Sequence, residues 1–123
     1  MKKLFFLHCV SDYPVEDKEA NLISIKYLRE KFKLNIGYSD HTLGIEASIM
    51  AAAYGAQIIE KHFTIDKNYS NFRDHKLSAD PKEMIRLVDS VRRSSIMKGA
   101  YTKKISVNEK KNLKGMRRSL YAK

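Results

Sequence analysis

Apolar positions along the chain follow two rhythms, one of strands and one of helices. Leu4, Phe5, Phe6 and Leu7 run on without alternation, inside an apolar stretch over residues 3–10. A short continuous run of this kind predicts a strand covered on both faces. "SDYPVEDKEAN" then breaks the pattern, with Pro14 as punctuation. Leu22, Ile25, Tyr27, Leu28 and Phe32 approximate helical spacing, which predicts an amphipathic helix over residues 17–33. Residues 34–38 read as a second short strand. Ile45, Ile49 and the alanines around them predict a compact helix that Gly55 can end. Residues 56–60 read as a third strand.

A long polar stretch follows, "TIDKNYSNFRDHKLSA", which predicts a loop. A loop of this length in a compact domain is usually functional. "DPKE" then opens a helix, with Asp80 as N-cap, Pro81 at the first position and Glu83 three residues after the cap. That helix is expected to run to Lys98, where Gly99 ends it. "SVNE" at 106–109 is a second capping box, before a short basic helix, and "MRRSLYAK" closes the chain in an extended segment. Strands alternating with helices predict an α/β fold whose parallel strands are joined by crossover helices. Three strands make a poor free-standing parallel sheet, because both faces and both edges need cover. The pattern therefore reads as part of an α/β barrel or of a doubly wound sheet.

Composition narrows the setting. The apolar fraction of 43% is enough for a core. The one cysteine, Cys9, excludes an internal disulfide and fits a reducing, cytoplasmic compartment. No apolar run approaches the roughly 18 residues of a membrane span. "MKKLFFLHCV" imitates a signal peptide, but its apolar part is short, His8 interrupts it and no small-residue cleavage site follows. The net charge of +10 is unevenly placed: residues 1–81 carry 11 Lys/Arg against 11 Asp/Glu, and residues 82–123 carry 13 against 3. A basic tail can bind nucleic acid, but this one has few interleaved aromatics and makes a poor stacking platform. A solvated helix face or a linker is the plainer reading.

Chemistry in a parallel α/β fold gathers at the carboxyl ends of the strands. Ser11, Asp12 and Tyr13 follow the first strand, Ser39, Asp40 and His41 the second, and Glu60 and His62 mark the third. Parallel strands would put all of them on one rim. Two neutral imidazoles and a carboxylate can hold a divalent ion of the manganese or zinc type, leaving positions open for water and substrate oxygen. A histidine near a strand end is, taken singly, more often a hydrogen-bonded structural group; the repetition on one rim is what favours a metal. His8, inside an apolar strand, reads as a satisfied core histidine. His75, beside Arg73 and Asp74 in the loop, is either a substrate contact or ordinary loop polarity. Cys9 and His8 are neighbours along a strand, so their side chains point to opposite faces and form no nucleophile pair. The glycines Gly37, Gly44 and Gly55 are scattered, which gives a nucleotide-binding loop no support.

"LHCVSDYP", "GYSDHTLG", "IIEKHFTIDK", "DHKLSADP" and "RRSLYA", in this order, resemble the sialic acid synthase family, which includes N-acetylneuraminate synthase and its legionaminate and pseudaminate relatives. The pairing of "GYSDHT" with "EKHFT" is the most specific part. The resemblance implies a partial (β/α)8 TIM barrel, with residues 1–99 as the last three β/α units. Residues 100–123 would be a basic helix and linker toward an antifreeze-like domain. It implies condensation of phosphoenolpyruvate with N-acetylmannosamine or a related amino sugar, giving a nonulosonate and phosphate. It implies that His41 and His62 hold a divalent metal, Mn2+ or Mg2+. Ser39 would contact phosphoenolpyruvate, Ser11 and Tyr13 would border the site, and Glu60 would orient water. Asp74 would hold the sugar, although "YSNFRDH" is one residue longer than in some relatives. The chain would need the missing barrel half, or would self-associate through open sheet edges, and is expected to be inactive alone. Two other readings stay open: a non-catalytic basic binding module, and an inactive remnant.

Overall fold

The computed structural model describes residues 4–116 and shows an α/β architecture built on one open, parallel three-stranded sheet. Strand β1 (Phe5–Cys9) pairs with β2 (Asn35–Asp40), and β2 pairs with β3 (Ile59–Lys61). The sheet order β1-β2-β3 puts β2 in the centre. Helix α1 (Ser24–Phe32) connects the first pair and α2 (Glu46–Ala53) the second. Then come a short α3 (Arg73–Leu77), a long α4 (Pro81–Lys98) and α5 (Val107–Met116). The strand–helix alternation predicts these parallel strands and crossover helices, and the open sheet agrees with the partial barrel that the resemblance implies.

The helices cover one face of the sheet. Ile25 of α1, Ile36 and Tyr38 of β2 and Ala51 of α2 form the buried cluster, with Leu22, Leu28, Ala47 and Ile59 packed against it. Helix α4 packs on α2, and Lys98 donates across to the Ala52 carbonyl at 3.3 Å. Among the described residues the opposite face has no such cover, and Leu7 and Ile58 remain exposed there. The apolar run in β1 is therefore not buried on both faces here, as its sequence predicts. Phe6, on the helix side, is also partly open and meets only the Phe32 ring edge-on at 5.3 Å. β1 is an edge strand, so its outer flank meets no further element among the described residues. Gly37, in the central strand, is required by this packing: a Cβ there would lie 2.7 Å from the Ile58 carbonyl oxygen.

Several boundaries differ from the sequence expectation. The helix expected over 17–33 is a 3-10 turn (Asp17–Glu19) followed by α1, because Asn21 takes a left-handed φ of 44° between them. Its end does fall at Lys33, whose own left-handed φ of 55° lets its N–H reach the Arg29 carbonyl at 3.0 Å. β2 runs two residues beyond Tyr38, so Ser39 and Asp40 lie within the strand rather than after it. The polar stretch 64–79 is not wholly loop: it contains α3. Both capping boxes form. Asp80 accepts from the Glu83 N–H at 2.8 Å while Glu83 accepts from the Asp80 N–H at 3.1 Å, and Ser106 and Glu109 repeat the exchange. The extended segment expected in "MRRSLYAK" lies almost wholly outside the described residues.

Candidate active site at the carboxyl ends of the strands

The strand register decides which side chains meet. Ser39 stands opposite Glu60 and Asp40 opposite Lys61 across β2 and β3. Side chains alternate between faces, so Ser39, His41, Glu60 and His62 share the open face and Asp40 and Lys61 the helix-covered one. On the open face the Ser39 hydroxyl donates to the Glu60 carboxylate. His41 and His62 follow at the strand ends, their ring centroids 5.2 Å apart. Tyr13, from the segment after β1, stacks on His41 at 4.2 Å and meets the edge of His62 at 6.0 Å.

The Nδ1 sides of the two imidazoles point away to partners of their own. His41 Nδ1 lies 3.0 Å from the Val10 carbonyl. A carbonyl only accepts, so this nitrogen carries a proton, and in the neutral ring the lone pair falls to Nε2. His62 turns its Nδ1 toward Asp74 Oδ2 at 4.0 Å, beyond hydrogen-bond range. Asp74 sits on α3 with its Oδ1 buried and unpartnered among the described residues. An orphaned carboxylate oxygen beside an imidazole is an acceptor waiting for a donor.

Beneath this surface lies a buried polar network. Asp40 is fully buried. It accepts from the Thr42 N–H at 2.9 Å, from the Thr42 hydroxyl at 2.8 Å and from the Ser48 hydroxyl. Lys61 completes it, with Nζ 3.1 Å from Asp40 Oδ2 and 3.0 Å from the Thr42 carbonyl oxygen. The pair ties β2 to β3 one residue before each histidine.

Of the residues expected at the rim, the structure brings together Tyr13, Ser39, His41, Glu60, His62 and Asp74. Ser11 is exposed just past β1. Asp40 does not belong to the rim set: it points into the helix layer, because its place in the strand is one step out of phase with the histidines. Lys61 faces away from Glu60 and His62, as strand alternation requires. His8 is satisfied on the helix side, its Nε2 2.9 Å from the Ala20 carbonyl and its ring stacked on Tyr38 at 5.7 Å. His75 organises its loop, with Nδ1 3.0 Å from the Thr64 hydroxyl, which itself donates to the Asp66 carbonyl at 2.9 Å. Sequence reading leaves three neighbours of the site unassigned. Cys9 Sγ is 3.9 Å from His41 Nδ1, the Val10 carbonyl fixes that ring, and Arg73 lies 4.6 Å over the Tyr13 ring. Only the last has a sequence signal, the "RDH" triplet.

Among the described residues no group of three or more His, Cys, Asp or Glu forms a ready metal cage. A divalent ion held by the histidine pair alone would have to take its other ligands from water or substrate, with Nε2 the free ring nitrogen of a neutral His41.

A parallel sheet with helices on one face, and imidazole and carboxylate groups gathered at the strand ends, defines a segment of a β/α-barrel enzyme fold. The chain belongs to the NeuB family, whose profile matches residues 1–103. It is 45% identical over 122 residues to the N,N'-diacetyllegionaminic acid synthase of Campylobacter jejuni subsp. jejuni serotype O:2, covering 99% of this chain and 36% of that protein. It is 41% identical over 101 residues to the N-acetylneuraminate-9-phosphate synthase of Mus musculus, covering 81% of this chain and 28% of that protein. The N-acetylneuraminic acid (sialic acid) synthetase of Leptospira borgpetersenii serovar Hardjo-bovis, solved in complex with citrate, superposes with a TM-score of 0.81 at 40% identity. That match covers 90% of this chain and 39% of that one. The chain thus spans between 28% and 39% of the length of these relatives. No helix among the described residues is long and apolar enough to cross a membrane.

Proposed function

We propose that this chain supplies one side of the catalytic centre of a sialic acid-type synthase. The reaction is condensation of phosphoenolpyruvate with N-acetylmannosamine or a related amino sugar. C3 of phosphoenolpyruvate bonds to the sugar aldehyde carbon, water adds at C2, and phosphate leaves, giving a nonulosonate. The observation that carries this reading is the facing pair His41 and His62 at the ends of adjacent parallel strands, with the His41 tautomer set by the Val10 carbonyl. The two imidazoles would hold Mn2+ or Mg2+. A cation bound there supplies Lewis-acid polarisation of the sugar carbonyl.

The chain's own residues divide the remaining work. Glu60 orients and deprotonates the incoming water, from a position fixed by the Ser39 hydroxyl. Ser39 can turn that hydroxyl to phosphoenolpyruvate when Glu60 engages water. Asp74, on α3, would offer its carboxylate to a sugar hydroxyl. Tyr13 walls the site against His41, and Ser11 borders it. Residues 1–99 belong to the barrel and residues 100–123 lead out of it. The far wall of the site would come from the remainder of the barrel.

The test is phosphate release from phosphoenolpyruvate, dependent on N-acetylmannosamine and manganese. The purified chain should be silent, because positioning of two substrates supplies roughly 7–11 kcal/mol of such a barrier. Mixed with the N-terminal part of a family barrel it should turn over, and His41→Ala should abolish the activity. Turnover that survives loss of both rim histidines would end this reading.

A further inference from the structure

We infer that Arg73 is an anion-binding residue at the mouth of this site, placed to take a phosphate or carboxylate group of a substrate. The inference rests on the synthase reading and adds to it the class of group that this loop recognises. Arg73 opens α3, next to Asp74. Its guanidinium carbon lies 4.6 Å from the Tyr13 ring centroid, and that ring stacks on His41 at 4.2 Å. Contact with an aromatic ring occupies the flat face of a guanidinium and leaves its in-plane N–H groups for other partners. The one acid nearby is reached weakly: Nε stands 3.8 Å from Asp74 Oδ1, beyond hydrogen-bond range, and the Arg73 side chain is 64% exposed. Stacking thus holds the cation in place, and its long ion pair with Asp74 includes no hydrogen bond.

No equivalent cation faces the histidines from the strands. Lys61 is turned to the other face, where Asp40 holds it, and its side chain is 1% exposed. Glu60 and Asp74 both face the open side. Without Arg73 the described part of the site would repel an acidic substrate. A guanidinium fork matches carboxylate and phosphate equally, in bidentate geometry. Two substrates can carry the group: phosphoenolpyruvate, or a sugar bearing a phosphate ester.

The experiment follows the Arg73 Nε–Hε signal of the full 15N-labelled chain, assigned by its loss in Arg73→Lys. Inorganic phosphate, phosphoenolpyruvate, N-acetylmannosamine and N-acetylmannosamine 6-phosphate are added in separate titrations. The signal should move saturably with each phosphate-bearing probe and stay still with the neutral sugar. The tighter of the two organic phosphates identifies the source. Arg73→Gln should weaken phosphate binding roughly 10- to 100-fold, with an unchanged circular dichroism spectrum. A signal that does not saturate, or that moves no more than those of the exposed Arg29 and Arg92, overturns the assignment. A saturating Arg73 response without turnover when the chain is mixed with the N-terminal part of a family barrel counts against the synthase reading alone. Turnover whose KM values are untouched by Arg73→Gln removes Arg73 alone.

Discussion

Alternate residues of the same strands build the two faces of the sheet, and the faces hold opposite chemistry. Toward the helices, Ile36 and Tyr38 are buried, and Asp40 is locked by Thr42, Ser48 and Lys61. Burial, and secondarily the Asp40 charge, push the Tyr38 phenol well above its ordinary pKa, so it stays neutral in the layer. On the other face the same strands present Ser39, His41, Glu60 and His62, beside exposed Leu7 and Ile58. The triplets Ser39–Asp40–His41 and Glu60–Lys61–His62 interleave the two roles. The middle residue of each fixes the strand; its neighbours face the open side. Reactive groups can therefore stand half a residue repeat from a rigid anchor without touching it.

Breaking the anchor should have the largest effect. Lys61→Ala leaves Asp40 buried without its cation, and loss of one partner from a buried pair typically destabilises by about 3–5 kcal/mol. Glu60→Gln, one residue away on the open face, should change stability by less than about 0.5 kcal/mol. Urea denaturation of both variants measures the contrast. Equal destabilisation would show that the two faces are not separate in energy.

The histidines sharpen the same contrast through binding. His41→Ala or His62→Ala should weaken manganese binding by more than the roughly 10- to 100-fold that loss of an outer-sphere partner costs. His8→Ala should leave manganese affinity intact while lowering the melting temperature, because His8 serves the Ala20 carbonyl on the helix side. Manganese titration by electron paramagnetic resonance, on the chain assembled with its companion, gives the affinities. Unchanged affinity in both rim variants would remove the metal assignment.

Period-two alternation made much of this arrangement legible before any coordinates. It separated Cys9 from His8, and the short apolar runs put both histidines at strand ends. It could not supply the register between strands, and register is what pairs Asp40 with Lys61 and Ser39 with Glu60. Asp40 was expected beside the histidines that it backs because the second strand was expected to end at Tyr38, two residues short of its observed end. The left-handed turn at Asn21, ahead of α1, was hidden because the apolar spacing begins only at Leu22 and does not mark where the helix starts. α3 was hidden for the opposite reason: its five residues, RDHKL, carry one apolar side chain, Leu77, too few to show a period. The capping boxes were read correctly because both partners lie within four residues, where the chain itself fixes the geometry.

The smallest effect concerns a second carboxylate, on the helix layer. Glu46 opens α2, and its Oε2 accepts from the Ile45 N–H at 2.9 Å. That hydrogen bond, followed by one from its own backbone N–H, holds its carboxyl below the ordinary carboxylate pKa. A group whose folded pKa is lowered stabilises the fold fully above its unfolded value, and loses that contribution as pH falls through the folded value. Glu46→Gln should therefore reduce stability at neutral pH, by an amount in the range of about 0.3–1 kcal/mol seen for exposed carboxylates at helix N-termini. The gap between the two proteins should close on acidification, because a protonated Glu46 resembles the glutamine. Paired thermal melts across the acid range read it directly. Glu60→Gln serves as the partner experiment on the open face, where Ser39 rather than a backbone N–H holds the carboxylate. A Glu46→Gln gap that persists undiminished at the acid end would mean that packing, not charge, ties this residue to the helix layer.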